Sequence, residues 1–343
     1  MPGMNGYEVC RLLKEDPSTC SIPVIFVTGL NDVGDEERGL RLGAVDYISK
    51  PFHAELVRAR VNNHLELKRH RDFLEEEVER RTQQLLASQH TQQRLEGELD
   101  VASRLQQSML PARLFVDQRG LGCRLATYLQ AARAVGGDLF DYFFLDKRSL
   151  FFVLGDVSDK GVAAALFMVR VHTLLRTWGP RTTDPAALLR LMNEALCQDN
   201  PACMFVTMIC GLLRTDTGEV LLARGGHEYP ILTSPGKAEA LEFEGGPALG
   251  LCEGVDFHNH GLQLQPQQSL VFYTDGVSEA CDADQAQFGE ERLLKELRDL
   301  AELEAGAMVS GLCASLDQFV GQAEPSDDIT LLVLQGYQNR PSR

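Results

Sequence analysis

Four aspartates, Asp138, Asp156, Asp275 and Asp327, stand far apart in the chain yet share one local setting. Each borders a short apolar run and is flanked by turn-forming residues. Asp138 lies in Gly136-Gly137-Asp138-Leu139-Phe140-Asp141, and Asp156 follows Ser149–Gly155 and opens Asp156-Val157-Ser158-Asp159-Lys160-Gly161. Asp275 ends Ser269-Leu270-Val271-Phe272-Tyr273-Thr274, with Gly276 next, and Asp327-Asp328-Ile329-Thr330 begins the last apolar run. Carboxylates so placed project from strand ends along a rigid sheet edge. Converging oxygens with room for water suit Mg²⁺ or Mn²⁺. Two adjacent ions would lower the pKa of a bridging water, orient it and neutralise phosphoryl oxygens, so the set predicts a metal-dependent hydrolase of phosphate esters. In that arrangement Asp156 bridges, with the backbone carbonyl of Val157 beside it. Asp138 completes one ion, and Asp275 and Asp327 complete the other.

Neighbouring residues carry weaker signals. Asp141 reads either as a further acidic ligand or as a carboxylate held behind the ligands or at the surface. Asp328 reads as a carboxylate that caps backbone groups or sits behind the ligand Asp327. Arg133 and Lys160 are candidate clamps for a phosphoryl group, with a solvated lysine as the plain alternative for Lys160. His227 reads as a hydrogen-bonded structural histidine, His258-Asn259-His260 as surface, and Cys203 and Cys210 as core thiols flanking one apolar strand.

The elements that must position these groups form three regions. Residues 111–338 alternate short strands with helices. Leu212–Arg214 and Glu219–Ala223 form a hairpin around Thr215-Asp216-Thr217-Gly218, and Tyr229–Thr233 is a further strand. Helical periodicity covers Ala163–Trp178, Pro185–Cys197, Glu290–Asp299 and Ala307–Val320. Antiparallel hairpins with helices outside predict an α+β sandwich. Residues 61–110 contain no Gly or Pro except Gly97, and Leu67, Leu74, Val78, Leu85, Leu95, Leu99, Ala102 and Met109 follow a 4-3 spacing. That spacing predicts a coiled coil making a homodimer, the alternative being one helix packed on its own domain. Residues 1–60 read as Tyr7–Glu15 helix, Ile22–Thr28 strand, Asp35–Leu42 helix, Ala44–Ser49 strand and a helix starting at Pro51, which is part of a parallel α/β sheet.

Composition narrows the class. At 343 residues the chain has room for about two domains. The balance of 33 Lys+Arg against 49 Asp+Glu, a net charge of −16, argues against nucleic acid as a partner. Nine cysteines without C-x-x-C spacing suit a reducing compartment. No apolar run approaches a membrane span and no secretory signal opens the chain, so the expectation is a cytoplasmic protein with no membrane partner.

Two resemblances follow from these residues. Met1-Pro2-Gly3-Met4-Asn5-Gly6, Thr28 at a strand end and Asp46-Tyr47-Ile48-Ser49-Lys50-Pro51-Phe52 resemble the second half of a response-regulator receiver, a flavodoxin-like α/β domain. Thr28 and Lys50 then match the family's switch threonine and phosphate-contacting lysine. The phosphoacceptor aspartate would precede Met1. The expectation is a truncated or degenerate input module that accepts no phosphoryl group. Further on, Gln106-Gln107-Ser108-Met109-Leu110-Pro111, the Asp138 and Asp156 motifs, Gly226-His227, Tyr273-Thr274-Asp275-Gly276-Val277-Ser278-Glu279-Ala280, Phe288-Gly289 and Asp327-Asp328-Ile329-Thr330 resemble, in order, bacterial PPM-type serine phosphatases of the SpoIIE-like branch. Asp159 departs from that pattern, where glycine is usual. The resemblance implies a β-sandwich flanked by helices, a dinuclear Mn²⁺/Mg²⁺ centre and phosphoserine or phosphothreonine on a protein as substrate. The combination with a receiver and coiled coil resembles regulators of sigma-factor partner switching, whose substrate is a phosphorylated STAS-domain anti-sigma antagonist. Two other readings stay open: a catalytically silent, dimeric partner-binding module, and a phosphatase of non-protein phosphates.

Overall fold

The computed structural model describes residues 4–29, 33–111, 123–323 and 325–336. Met1-Pro2-Gly3 of the receiver-like motif, and the last two residues of the expected 111–338 region, lie outside the described residues. The chain divides into two compact units, Met1–Leu95 and Glu96–Arg343.

In the first unit α1 (Gly6–Glu15), β1 (Ile25–Thr28), α2 (Val33–Arg41) and β2 (Asp46–Ser49) precede the long α3 (Ala54–Met109). Asn5 caps α1 reciprocally with Glu8, its side chain accepting from Glu8 N–H while the Glu8 carboxylate accepts from Asn5 N–H. β1 and β2 are parallel, with Ile25 opposite Asp46 and Thr28 opposite Ser49. The strands are shorter at their starts than the apolar runs imply. Pro51 does not begin a helix: α3 starts at Ala54, and it then runs unbroken for 56 residues, so the expected boundary at 60/61 falls inside one helix. Among the described residues, none on α3 is buried. Leu67, Leu74, Val78, Leu85 and Leu95 stand 52% to 65% exposed, which leaves the 4-3 apolar seam open to a partner.

The second unit is built from two five-stranded sheets. One has the order β10 (His260–Gln263), β7 (Glu219–Gly225), β6 (Val206–Arg214), β5 (Ser149–Val157), β4 (Leu139–Phe144). The other has the order β3 (Cys123–Gln130), β12 (Ile329–Gly336), β11 (Ser269–Tyr273), β8 (Ile231–Ser234), β9 (Lys237–Ala240). Every named pairing in both sheets is antiparallel. The hairpin expected around residues 215–218 is present as β6–β7.

Strand alternation distributes the core into three layers. Phe152 and Leu154 of β5 point between the sheets and meet Phe272, Leu332 and Leu334 from the opposite sheet. Their neighbours Phe151 and Val153 point outward and are covered by Met168, Val171 and Leu175 of α4 (Val162–Trp178) and by Leu188 and Met192 of α5 (Pro185–Cys197). On the far side Val271 and Val333 are covered by Leu293 and Leu297 of α7 (Glu290–Asp299) and by Met308 and Leu312 of α8 (Ala305–Val320). The result is an α–β–β–α sandwich, the expected α+β class. Strand β5 is apolar along almost its whole length because both its faces are buried.

Candidate functional site

Antiparallel pairing explains how four distant aspartates meet. Asp138 directly precedes β4, Asp156 is the penultimate residue of β5, and Leu139 pairs with Gly155, so both carboxylates stand at one edge of the first sheet. In the second sheet Asp275 follows β11 by two residues, at the first position of α6 (Asp275–Ser278), and Asp327 precedes β12 by two; Tyr273 pairs with Leu331. One end of the sandwich therefore receives two aspartates from each sheet.

Close backbone contacts hold this end together. The Asp328 carboxylate accepts from Ala132 N–H (2.8 Å), Gly137 N–H (2.8 Å) and Asp138 N–H (3.4 Å), which is the capping role read from its position. A Cβ at Gly136 would overlap that carboxylate, and one at Gly276 would overlap the Asp328 carbonyl, so both positions need glycine. Gly137 packs against the carbonyl oxygen of Val157, where a Cβ would come within 2.9 Å. Gln106, near the end of α3, donates from Nε2 to Gly136 O (2.7 Å) and accepts from Gly136 N–H (3.2 Å). The last turns of the long helix thus bind the segment that carries Asp138.

The carboxylates repel one another. Asp138 is buried and accepts from Thr274 Oγ1 (2.8 Å) and Thr330 Oγ1 (2.5 Å) through one oxygen. Burial, then the charges of Asp156 and Asp328, hold its carboxyl well above the usual range despite those hydroxyls. Asp156 is pushed up to about 7 by burial and by Asp275, with Asp327 and Glu228 adding to it; a hydrogen bond from Asp138 works against the rise. Burial, Asp327 and Glu279 raise Asp275. Asp327 pairs with Lys160, whose Nζ lies 2.7 Å from Asp327 Oδ2 and donates to Ser326 O at 2.7 Å. Among the described residues, no three carboxylate, imidazole or thiol groups are drawn close enough to form a ready-made metal cage. The donor set nevertheless fits a hard divalent cation: carboxylates converge from four chain segments, and two of them, Asp138 and Asp156, share a hydrogen bond.

A cleft of about 260 Å³ opens over this edge, and Arg133, Asp156, Asp159, Lys160 and Asp327 help to line it. Arg133 is exposed at its rim. Asp159 has φ of 73°, a left-handed turn that Asp tolerates better than most residues. It adds a negative charge to the mouth.

Several expected residues lie elsewhere. Asp141 is neither a ligand nor at the surface: it is fully buried, 2.5 Å from Arg176 Nε and 3.2 Å from His172 Nε2 across the β4–α4 contact. Adjacent strand positions face opposite sides, and three residues beyond Asp138 the chain has crossed to the helix-covered face. His227 is structural, with Nδ1 2.8 Å from Thr207 Oγ1, and burial pushes its imidazole down to about 3, so it stays neutral. Asn259 accepts from Ala186 N–H and donates to Asp184, tying its loop to α5, while His260 stacks on Phe243. Cys210 is buried as expected, but Cys203 is exposed, at a turn with φ of 51°. Thr28 and Lys50 lie together at the C-terminal ends of β1 and β2, where Lys50 N–H donates to Thr28 O (2.8 Å). Glu228 escaped the sequence reading. It is half-buried beside Asp275 and pushed up to about 7, chiefly by burial. Its only signal was the place directly after Gly226-His227.

Comparison with known proteins adds independent support. Residues 146–336 match the family model described as stage II sporulation protein E (SpoIIE), and residues 1–62 match the response regulator receiver domain. Protein IcfG of Synechocystis is 29% identical over 273 residues, 71% of this chain and 42% of that protein. The chain thus spans about two fifths of that relative. The phosphoserine phosphatase RsbU of Bacillus subtilis is 25% identical over 245 residues, 71% of each chain. Among solved structures, the SiaA-PP2C domain of Pseudomonas aeruginosa superposes with a TM-score of 0.63 at 23% identity, covering 71% of this chain and 98% of that one, which establishes the PP2C-type fold.

Proposed function

From the premise that the chain belongs to the SpoIIE family, we propose that it is a phosphoprotein phosphatase that hydrolyses phosphoserine or phosphothreonine with two divalent cations, Mn²⁺ or Mg²⁺. The observation that carries this reading is the convergence of Asp138, Asp156, Asp275 and Asp327, two from each sheet, on one end of the sandwich, where Asp156 and Asp327 line an open cleft. Two ions held there would neutralise the phosphoryl oxygens and make water nucleophilic at neutral pH. Asp156, hydrogen-bonded with Asp138 and within reach of the charges of Asp275 and Asp327, would be the ligand the two ions share. Asp138, with the Val157 carbonyl, would hold one ion, and Asp275 and Asp327 would hold the other. Thr274 and Thr330 fix the orientation of Asp138. Asp328 holds the Gly136–Asp138 backbone in place. Arg133 and Lys160, on the wall of the same cleft, orient the phosphoryl group.

We retain the division into a receiver segment (1–60), a coiled-coil linker (61–110) and a phosphatase domain (111–338). The open seam of α3 supports homodimerisation through the linker. The receiver match and the likeness to RsbU support a signalling role in which the substrate is a phosphorylated STAS-domain anti-sigma antagonist. Among the described residues, no helix is long and apolar enough to cross a membrane.

Hydrolysis of p-nitrophenyl phosphate across a Mn²⁺ titration tests the activity. Saturable, metal-dependent turnover is expected. No turnover at any Mn²⁺ or Mg²⁺ concentration would discard the enzyme in favour of a silent partner-binding module.

A further inference from the structure

A second cleft, of about 390 Å³, shares Asp327 with the phosphoryl cleft. Its floor is aliphatic: Leu316 and Val320 stand one turn apart on α8, Ile329 opens β12, and Ala280 follows α6. Leu316 and Ala280 are buried, while Val320 and Ile329 are partly open. Gln130, at the rim, is held by an accepted hydrogen bond from the Tyr128 hydroxyl (2.5 Å). Asp327 lines both clefts, and Ser326, which also lines the second, receives Lys160 on the phosphoryl side. Asp327 is therefore the wall that the two clefts have in common. Gly276, directly after Asp275, completes the contact with the catalytic edge.

This juxtaposition matches the geometry of an extended peptide. Side chains two residues apart in a strand point to the same face, about 6.6–6.8 Å from one another. A phosphoserine entering the first cleft brings the side chain two positions away over the Ser326–Asp327 wall. An apolar floor takes an aliphatic group there, and the carboxylates of Asp317 and Asp327 at its border repel an acidic one. We propose that this cleft is a substrate subsite that receives an aliphatic side chain two residues from the phosphoserine. The proposal rests on the phosphatase reading and deepens it, because the phosphoryl cleft touches only the group common to every substrate, whereas this cleft touches what differs between them.

The test compares synthetic phosphoserine peptides carrying Leu, Ala or Asp at the position two before or two after the phosphoserine, with p-nitrophenyl phosphate as a substrate lacking any side chain. On one side of the phosphoserine, Leu should exceed Ala in kcat/KM by about tenfold, the size of discrimination an apolar pocket provides, with Asp weaker still. Val320→Trp, and independently Cys281→Phe from the opposite wall, should erase that preference. Both should leave p-nitrophenyl phosphate turnover within about twofold, which also reports intact folding. A Leu preference that survives both fillings, or no preference at either position with p-nitrophenyl phosphate still turned over, overturns the subsite alone. Absence of turnover on every substrate overturns the phosphatase reading and the subsite with it.

Discussion

The two units of this chain solve the burial of apolar surface in opposite ways. Between Glu96 and Gly336 the central strands β5, β6, β11 and β12 are buried along nearly their whole length, and Phe152 and Phe151, adjacent in β5, serve two separate cores. Between Met4 and Leu95 the described residues offer two short parallel strands, a few buried groups such as Cys10 and Ile48, and a helix with none. Val27 on β1 and Phe52 after β2 are about half exposed. The difference teaches where each half draws its order. The sandwich is self-sufficient, so it can hold four mutually repelling carboxylates at its edge. The N-terminal unit leaves apolar side chains such as Val27, Phe52 and Leu67 uncovered.

The largest expected effect tests whether the sandwich stores that repulsion. Asp156→Asn should lower kcat by roughly a thousandfold or more, as loss of a shared ligand does for groups acting as a unit. The same substitution should stabilise the cation-free fold. Asp156 is raised from 3.8 to about 7 in the folded state. Below about pH 4 both states keep the proton and no cost arises. As pH rises toward 7 the folded state still binds the proton that the unfolded state has released, so stability falls across that window. Thermal unfolding in EDTA should therefore show Tm dropping from pH 4 to pH 7, with the drop reduced in Asp156→Asn and offset by Mn²⁺ in the native protein. A Tm that rises over this window in EDTA would mean the carboxylates are not in conflict.

A second, smaller effect separates the catalytic edge from its support. Asp138 and Asp141 sit three residues apart in one motif, yet one is held at the catalytic edge by Thr274 and Thr330 and the other meets a buried histidine and a half-exposed arginine under α4. Asp141→Ala leaves the buried His172 and the half-exposed Arg176 without their carboxylate and should cost about 1–3 kcal/mol of stability, read by chemical denaturation. At a temperature where the variant stays folded, the catalytic constants should remain near native. A variant that is stable but inactive would return Asp141 to the ligand set.

Much of this was legible in advance because it is local. The helices Pro185–Cys197 and Glu290–Asp299 begin and end where their helical periodicity places them, and each aspartate motif marks a strand end. What escaped is what depends on pairs distant in sequence. Arg176 lies 35 residues from Asp141, Lys160 is 167 residues from Asp327, and nothing in either neighbourhood announces the other. Cys203 departs from the sequence expectation for a related reason: the apolar run suggests a core, but the turn that precedes β6 leaves the thiol exposed.

The smallest effect concerns the one element that the two units share in sequence, α3. Its end reaches the catalytic edge through Gln106, whose amide makes two hydrogen bonds to Gly136, two residues before Asp138. Asp328 holds the same backbone through Gly137 and Ala132, so Gln106 is a support rather than a ligand. A net hydrogen bond contributes about 1 kcal/mol, so Gln106→Ala should reduce kcat by about five- to tenfold and weaken Mn²⁺ affinity modestly, with Tm of the sandwich nearly unchanged. Gln106→Glu keeps the acceptor for Gly136 N–H and loses the donor to Gly136 O, so it should fall between the two. If Gln106→Ala proved as severe as Asp156→Asn, the helix end would belong to the catalytic unit and the contrast between the units would fail. If it had no effect on rate or metal affinity, the helix would lack this route to the site, and any signal from the receiver segment would have to travel by another contact.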